Sequence, residues 1–258
     1  MNQSERRHYL IKALLDERGE GRFRIPDDTE EQKQLLRSLM NVRPPKAADA
    51  EFLRIQDEYL REETALKGIV EYRDLTPVEE GIYLWQGDIT TLRCGAIVNA
   101  ANSGMTGCYV PCHRCIDNAI HTFAGVQLRQ RCGRMMKEQG FDEPAGRAKL
   151  TPAYNLPCDF VIHTVGPIVG FRLTDEDEEL LRSCYRACLE TAYENDIDSI
   201  AFCCISTGEF HFPNDRAAEI AVDTVRQFRQ ESGCEIDVIF NVFKDLDYRL
   251  YQRLLTEQ

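Results

Sequence analysis

Three blocks of apolar residues at helical spacing open the chain. Tyr9, Leu10, Ala13 and Leu14 make one stripe, Leu35, Leu36, Leu39 and Met40 a second, and Phe52, Ile55, Tyr59 and Leu60 a third. Recurrence at i, i+3 and i+4 puts apolar side chains on one face of an α-helix. Asp28 and Thr29 open the second stripe as capping residues, and Pro44 and Pro45 close it because neither can continue a helix. Residues 1–75 are therefore expected to form a helical N-terminal extension with no catalytic cluster of its own.

The period changes near residue 80. GIYLWQGDIT and GAIVNAAN are short β-rich runs, and a helix is expected from Cys115 to Gln139, ended by Gly140 as a C-cap. KLTPAY and FVIHTVGP read as strands, and DEDEELLRSCYRACLETAYEN as a helix whose acidic first turn suits the helix dipole. SIAFCCIST and EIDVIFNVF are continuous apolar runs of the kind buried on both faces. Between them NDRAAEIAVDTVRQFRQESG reads as a helix with Asn214 as its N-cap, and LDYRLYQRLLTEQ closes the chain as another. Strands alternating with helices predict an α/β fold over residues 76–258. In such folds ligands sit beyond the carboxyl ends of the strands. GDIT, NAANSGMTGCYVPCHRC, STGEFHFPND and KDLD each follow a strand, so the unusual chemistry converges on one edge of the sheet.

Composition narrows the classes. With 258 residues, 43% hydrophobic and 29% charged, the chain can bury a core without staples. A formal net charge of −12 argues against nucleic acid as the main partner. No run of about 18 apolar residues and no signal-peptide h-region are visible, so no membrane association and a cytoplasmic location with reduced thiols are expected. In that setting the 11 cysteines, an odd number and scattered, read as metal ligands or core fillers before disulfides. Cys203 and Cys204, in an apolar strand, read as small hydrophobes.

The segment GCYVPCHRCIDNAIH, residues 107–121, packs three cysteines, two histidines and an aspartate into fifteen positions. Cys108, Cys112, His113 and Cys115 are candidate zinc ligands, since thiolates and imidazoles hold zinc tetrahedrally. Adjacent Cys112 and His113 point different ways, so all four binding at once is awkward. Three ligands with an open position would suit a catalytic zinc, and four a structural one. No GxxxxGK[ST] run exists, which disfavours nucleoside triphosphate hydrolysis. Asp88 and Asp117 also serve as ordinary turn or first-turn acids, His121 falls at i+4 from Asp117 as a packed neighbour, and His163 reads as a satisfied buried histidine.

Five motifs in order carry a family likeness: QGDIT at 86–90, IVNAAN at 97–102, CIDNAIHTFAG at 115–125, VIHTVGP at 161–167 and ISTGEFHFP at 205–213. Together they resemble the macrodomain, an ADP-ribose-binding fold, over roughly residues 80–255. The resemblance implies a three-layer α/β/α architecture with a mixed central sheet. Where many macrodomain hydrolases carry a glycine run, this chain has GCYVPCHRC. That loop resembles the zinc-containing subgroup of microbial protein-ADP-ribosyl hydrolases, which also carries a helical N-terminal extension.

The resemblance implies zinc on Cys108, His113 and Cys115, with Cys112 a bystander. It implies that Asp88 accepts from the adenine amino group, with Ile89 offering backbone contact. Asn102 would face the distal ribose and Asp117 would support water attack, whereas Asn99 reads as a turn residue. Asn118 stands where relatives often have glycine and joins the substrate contacts. Ser206, Thr207, Gly208 and Glu209 would cradle a diphosphate through backbone N–H groups. Phe210 would pack on the distal ribose, and Phe243 either on adenine or in the core. Zinc would either activate water or polarise ribose and leaving-group oxygens. The implied activity is removal of mono-ADP-ribose from a modified protein at the distal anomeric carbon, the alternative being a reader that binds ADP-ribose without cleaving it. The implied partners are a sirtuin-type transferase, whose modification would be reversed, and a lipoyl-carrier (glycine-cleavage H-like) protein.

Overall fold

In the computed structural model, which describes residues 1–256, the three apolar stripes form α1 (Gln3–Glu17), α2 (Thr29–Val42) and α3 (Ala50–Lys67). Each begins on a side chain that accepts a backbone N–H from the first turn: Asn2, Asp28 and Asp49. Such caps satisfy donors that a helix start leaves orphaned. Leu10, Leu14, Leu36, Leu39, Phe52 and Ile55 bury together in a core of their own, and Val126 from far along the chain joins it.

Eight strands follow: β1 (Val70–Glu71), β2 (Ile82–Gln86), β3 (Leu92–Arg93), β4 (Ala96–Ala100), β5 (Ala148–Pro152), β6 (Phe160–Thr164), β7 (Ser199–Phe202) and β8 (Asp237–Val242). β1 and β3 form a short parallel pair. The other six make one sheet in the order β2-β8-β7-β4-β6-β5, parallel except for β5, which runs antiparallel to β6. The sheet is therefore mixed, and every residue of β7 is buried, as a central parallel strand requires. The remaining helices are α4 (Ile116–Ala124), α5 (Val126–Gln139), α6 (Asp175–Glu194), α7 (Asn214–Ser232) and α8 (Asp245–Thr256). α6, α7 and α8 pack side by side; α4 lies against β4, α5 against β5, and α2 and α3 sit on α4. Among the described residues no helix is long and apolar enough to cross a membrane.

Two expectations are corrected at element ends, and a third runs past the described residues. The single helix from Cys115 to Gln139 is two, because Gly125 breaks it at φ +96. A Cβ there would stand 2.6 Å from Gln56 Nε2 and 2.7 Å from Gln127 Oε1. Gln56 of α3 uses that space to accept the Val126 N–H at 3.0 Å, which caps α5 from the extension. Asn214 is the first residue of α7 rather than its cap, and its amide donates to Asp247 at 2.6 Å. The C-terminal helix is present to Thr256, while the Glu257 and Gln258 of that expectation lie outside the described residues.

Candidate active site

Because β2, β4, β6, β7 and β8 are parallel, the segments after Gln86, Ala100, Thr164, Phe202 and Val242 leave the same edge of the sheet. Asp117 occupies that edge, one residue inside the start of α4, and is 5% exposed. Asn99, the fourth residue of β4, donates to its Oδ1 at 2.9 Å. Asn102 donates to its Oδ2 at 3.1 Å. Burial pushes the Asp117 carboxyl up to about 6, against the pull of the two amides and of the Arg129 guanidinium. His121 Nε2 stands 3.5 Å from Asp117 Oδ1, too far for a good hydrogen bond, and both its ring nitrogens lack partners. Burial drives His121 well below its ordinary value, so the ring is neutral.

Residues 107–115 begin beside this carboxylate, since the Asn102 amide nitrogen that donates to Asp117 also donates to the Gly107 carbonyl at 3.2 Å. One ligand atom each from Cys108, His113 and Cys115 lie within 4.8 Å of one another. His113 Nδ1 is buried without a partner among the described residues. Cys112 takes φ +54 and turns its sulfur toward the Gln34 carbonyl, out of the cluster. Burial pushes the Cys115 thiol up to about 12, so its sulfur keeps its proton unless a cation displaces it.

The loop is held from the extension, by residues that the sequence reading did not single out. Arg37 Nη2 of α2 donates to the His113 carbonyl at 2.9 Å and to Asn118 Oδ1 at 2.8 Å. Asn41 Oδ1 accepts the Cys112 N–H at 2.9 Å. Arg129 of α5 donates to the Cys108 carbonyl and to the carbonyls of Met40, Asn41 and Arg43, which end α2. A signal for Arg129 was present: it interrupts the apolar stripe Val126, Cys132, Met136 with a cation that must find acceptors.

The other predicted residues fall on both sides of the expectation. Asp88 follows β2, accepts from Thr90 N and Oγ1, and pairs with Lys67 of α3 at 3.1 Å. Burial raises its carboxyl, but Thr90 and the Lys67 ammonium outweigh that and hold it below the ordinary value. The same ammonium lies 3.3 Å from the centroid of the Phe123 ring. Ile89 buries its side chain, so only its backbone can meet a ligand. Asn102 spends both amide protons on Gly107 O and Asp117 and accepts the Gly104 N–H, which leaves it one lone pair for a ribose hydroxyl.

Two assignments are corrected here. Asn118 is fully buried, with its oxygen on Arg37 and its nitrogen on the Val110 carbonyl at 3.1 Å, so it braces the loop and cannot reach a substrate. Asn99 is a buried strand residue on Asp117 rather than a turn residue.

Across the edge, residues 206–210 leave β7. Ser206 takes φ +64, and its buried hydroxyl has no partner. A Cβ on Gly166 would fall 2.1 Å from that oxygen, which explains glycine in VIHTVGP. Thr207 closes a turn onto the Cys204 carbonyl at 3.0 Å, Gly208 and Glu209 are exposed, and Glu209 Oε1 stands 3.7 Å from His113 Nε2. Phe210 is half-buried, while Phe243 is 77% exposed after β8, so the core alternative for Phe243 fails.

The profile described as Macro domain matches residues 98–221. The chain is 56% identical over 261 residues to a protein-ADP-ribose hydrolase of Treponema medium, covering 99% of this chain and 100% of that one. It is 44% identical over 250 residues to a protein-ADP-ribose hydrolase of Staphylococcus aureus (strain MSSA476), covering 96% and 94%. Among solved structures, the Trypanosoma brucei macrodomain in complex with ADP-ribose superimposes with a TM-score of 0.65 at 31% identity, covering 85% of this chain and 94% of that one. The Oceanobacillus iheyensis macrodomain with ADP gives a TM-score of 0.63 at 36% identity, covering 70% and 93%.

Proposed function

The chain belongs to the Macro domain family, and on that premise we propose that it is a protein-ADP-ribose hydrolase with zinc on Cys108, His113 and Cys115. One observation carries the reading: a buried carboxylate, Asp117, fixed by two amides directly beside a Cys/His/Cys cluster at the ligand-binding edge of the sheet. A module that only held ADP-ribose would have no use for that pairing.

The donor set fits zinc. Two sulfurs and an imidazole lie within reach of one ion, and the buried His113 Nδ1 has no other partner. Bound there, zinc would supply a Lewis acid for oxygens of the substrate or of water. The chain's own residues do the rest. Asp88 receives the adenine amino group, and the 206–210 backbone faces the diphosphate. The Asn102 oxygen accepts from the distal ribose. Asp117 orients a water toward the anomeric carbon and takes its proton as the carbon–side-chain bond breaks. The departing protein group leaves with the bonding pair and takes the proton that Asp117 accepted, which returns Asp117 to the carboxylate. The natural substrate we propose is a mono-ADP-ribosylated protein, with a lipoyl carrier of the glycine-cleavage H type and a sirtuin-type transferase as the partners that family likeness suggests.

The test combines metal content of untagged protein with release of ADP-ribose from a mono-ADP-ribosylated protein, before and after chelation. About one zinc per chain is expected from a three-ligand site, with release lost on chelation and restored by zinc. Stoichiometric zinc without release from any substrate would put the non-catalytic reader ahead. Protein without zinc would overturn the assignment of the 107–115 loop.

A further inference from the structure

Behind Asp117 a line of buried side chains crosses three adjacent strands. Asn99 Nδ2 donates to Asp117 Oδ1 at 2.9 Å and also lies 3.1 Å from His163 Nδ1. Asn99 of β4 and His163 of β6 are register partners. On the far side of the ring, His163 Nε2 lies 2.9 Å from Thr151 Oγ1 of β5. The Thr151 hydroxyl in turn reaches the Val161 carbonyl at 3.4 Å.

Donor and acceptor rules allow these links only one polarity. An amide nitrogen donates and a carboxylate accepts, so one Asn99 proton goes to Asp117. The other goes to His163 Nδ1, which must then carry a lone pair. Burial holds the imidazole neutral, with its pKa near 3. A neutral ring with a bare Nδ1 has its proton on Nε2, and that proton points at Thr151 Oγ1. Thr151, accepting there, directs its own proton to the Val161 carbonyl. The line ends on a backbone acceptor that cannot reverse.

His121, Cys132 and His163 also lie close enough to share a cation. Both His163 nitrogens are already engaged, however, and coordination would break one of the links. The positional reading keeps both links and leaves the Cys132 sulfur, 3.9 Å from His163 Nε2, as a weak lateral contact.

We propose that Thr151 and His163 are positioning residues for Asp117, acting through Asn99. This rests on the hydrolase reading above. With its amide nitrogen bound on both sides, Asn99 cannot turn its oxygen toward Asp117, where two oxygens would repel. The chain thereby keeps a donor on Asp117 Oδ1 while Asn102 keeps one on Oδ2. The carboxylate plane is set before any substrate arrives, and neither Thr151 nor His163 touches the substrate.

Thr151→Val tests this, because it keeps the side chain's shape and removes the acceptor. The Nε2 proton then loses its oxygen acceptor and keeps only the Cys132 sulfur at 3.9 Å, so the Nδ1–H form, which turns the Asn99 amide over, gains population. Turnover of a mono-ADP-ribosylated protein should fall about tenfold to a hundredfold, the effect of a misplaced catalytic group. ADP-ribose affinity should stay within about threefold, since ground-state binding is untouched. Thr151→Ser should restore turnover. The 15N spectrum of His163 should show the Nε2–H tautomer in the native protein and in Thr151→Ser, and its loss in Thr151→Val. Native turnover in folded Thr151→Val, or an Nδ1–H tautomer in the native protein, would overturn the proposal. If the native protein released no ADP-ribose, the hydrolase reading would fall, while the tautomer would still decide the polarity of the chain. If Thr151→Val did not fold, the native tautomer and the Thr151→Ser turnover would decide.

Discussion

Asp117 and Asp88 show how differently two carboxylates at one sheet edge can be prepared. Asp117 is buried, pushed up to about 6 by that burial, and hydrogen-bonded by two amides, with the Arg129 guanidinium acting on it only through its charge. Asp88 is half-open and held low against an ammonium and a hydroxyl. We expect Asp117→Ala to cut turnover by at least about a hundredfold, in the range for losing a general base, while calorimetry shows ADP-ribose binding largely retained. Binding lost in parallel with turnover would make Asp117 a substrate anchor instead. Asp88→Ala should do the reverse: affinity down about tenfold, the loss of one charge-assisted hydrogen bond, with turnover at saturation little changed. Unchanged affinity would mean that Lys67 keeps Asp88 from the ligand. Strand ends and close spacing brought Asp88, Asp117 and the candidates Cys108, Cys112, His113 and Cys115 to one edge, while the choice of Cys108, His113 and Cys115 among them came from the family resemblance. The place of Asn118 was not legible in the sequence. Its amide belongs to Arg37, 81 positions earlier, and no local pattern shows which neighbour will claim a buried polar group.

The elements divide the work so that the N-terminal helices build the site from behind. α2 offers Arg37 and Asn41 to the 107–115 loop, and α3 offers Gln56 to α5 and Lys67 to Asp88. Arg37→Ala should leave the helical circular dichroism unchanged and speed zinc loss to a competing chelator by about tenfold or more, as the charge-assisted bonds to the His113 carbonyl and to the Asn118 oxygen that braces the loop vanish. Equal zinc retention would show that Arg129 alone suffices. Gly125→Ala should destabilise by about 1–3 kcal/mol, seen as a lower urea midpoint, because φ +96 strains alanine and its methyl group meets Gln56. Apolar periodicity made α1 to α3, the strands of the main sheet and the α/β plan readable in advance, whereas the mixed sheet came from the family resemblance. The short pair of β1 and β3 was not read, β1 lying inside the supposed helical stretch 1–75. The break at Gly125 was not read either, since FAGV keeps helical spacing across it and only the packing of Gln56 and Asn155 demands the turn.

At the scale of the whole molecule, the line of side chains behind Asp117 couples global stability to pH. His163 is fully buried and its folded pKa lies near 3, against an unfolded value of about 6.5. Between those limits the unfolded chain binds a proton that the folded chain refuses, so acid favours unfolding. Stability is whole above pH 6.5 and declines as pH falls toward 3, by about 1.4 kcal/mol per unit for one such group. His121 is shifted in the same direction and adds to the slope, whereas Asp117, raised to about 6 in the fold, takes up a proton in that range and opposes it. His163 alone should therefore remove about 2 kcal/mol between pH 6.5 and pH 5. Urea unfolding of metal-free protein, followed through its single tryptophan, Trp85, isolates this loss from proton competition at the cysteine cluster. His163→Gln should start less stable at pH 7, having lost the ring, yet show an acid limb shallower by that same amount. An acid limb unchanged by the substitution would mean that His163 opens to water well before the fold does. The rigid, one-way chain that we assign to it would then not hold in solution.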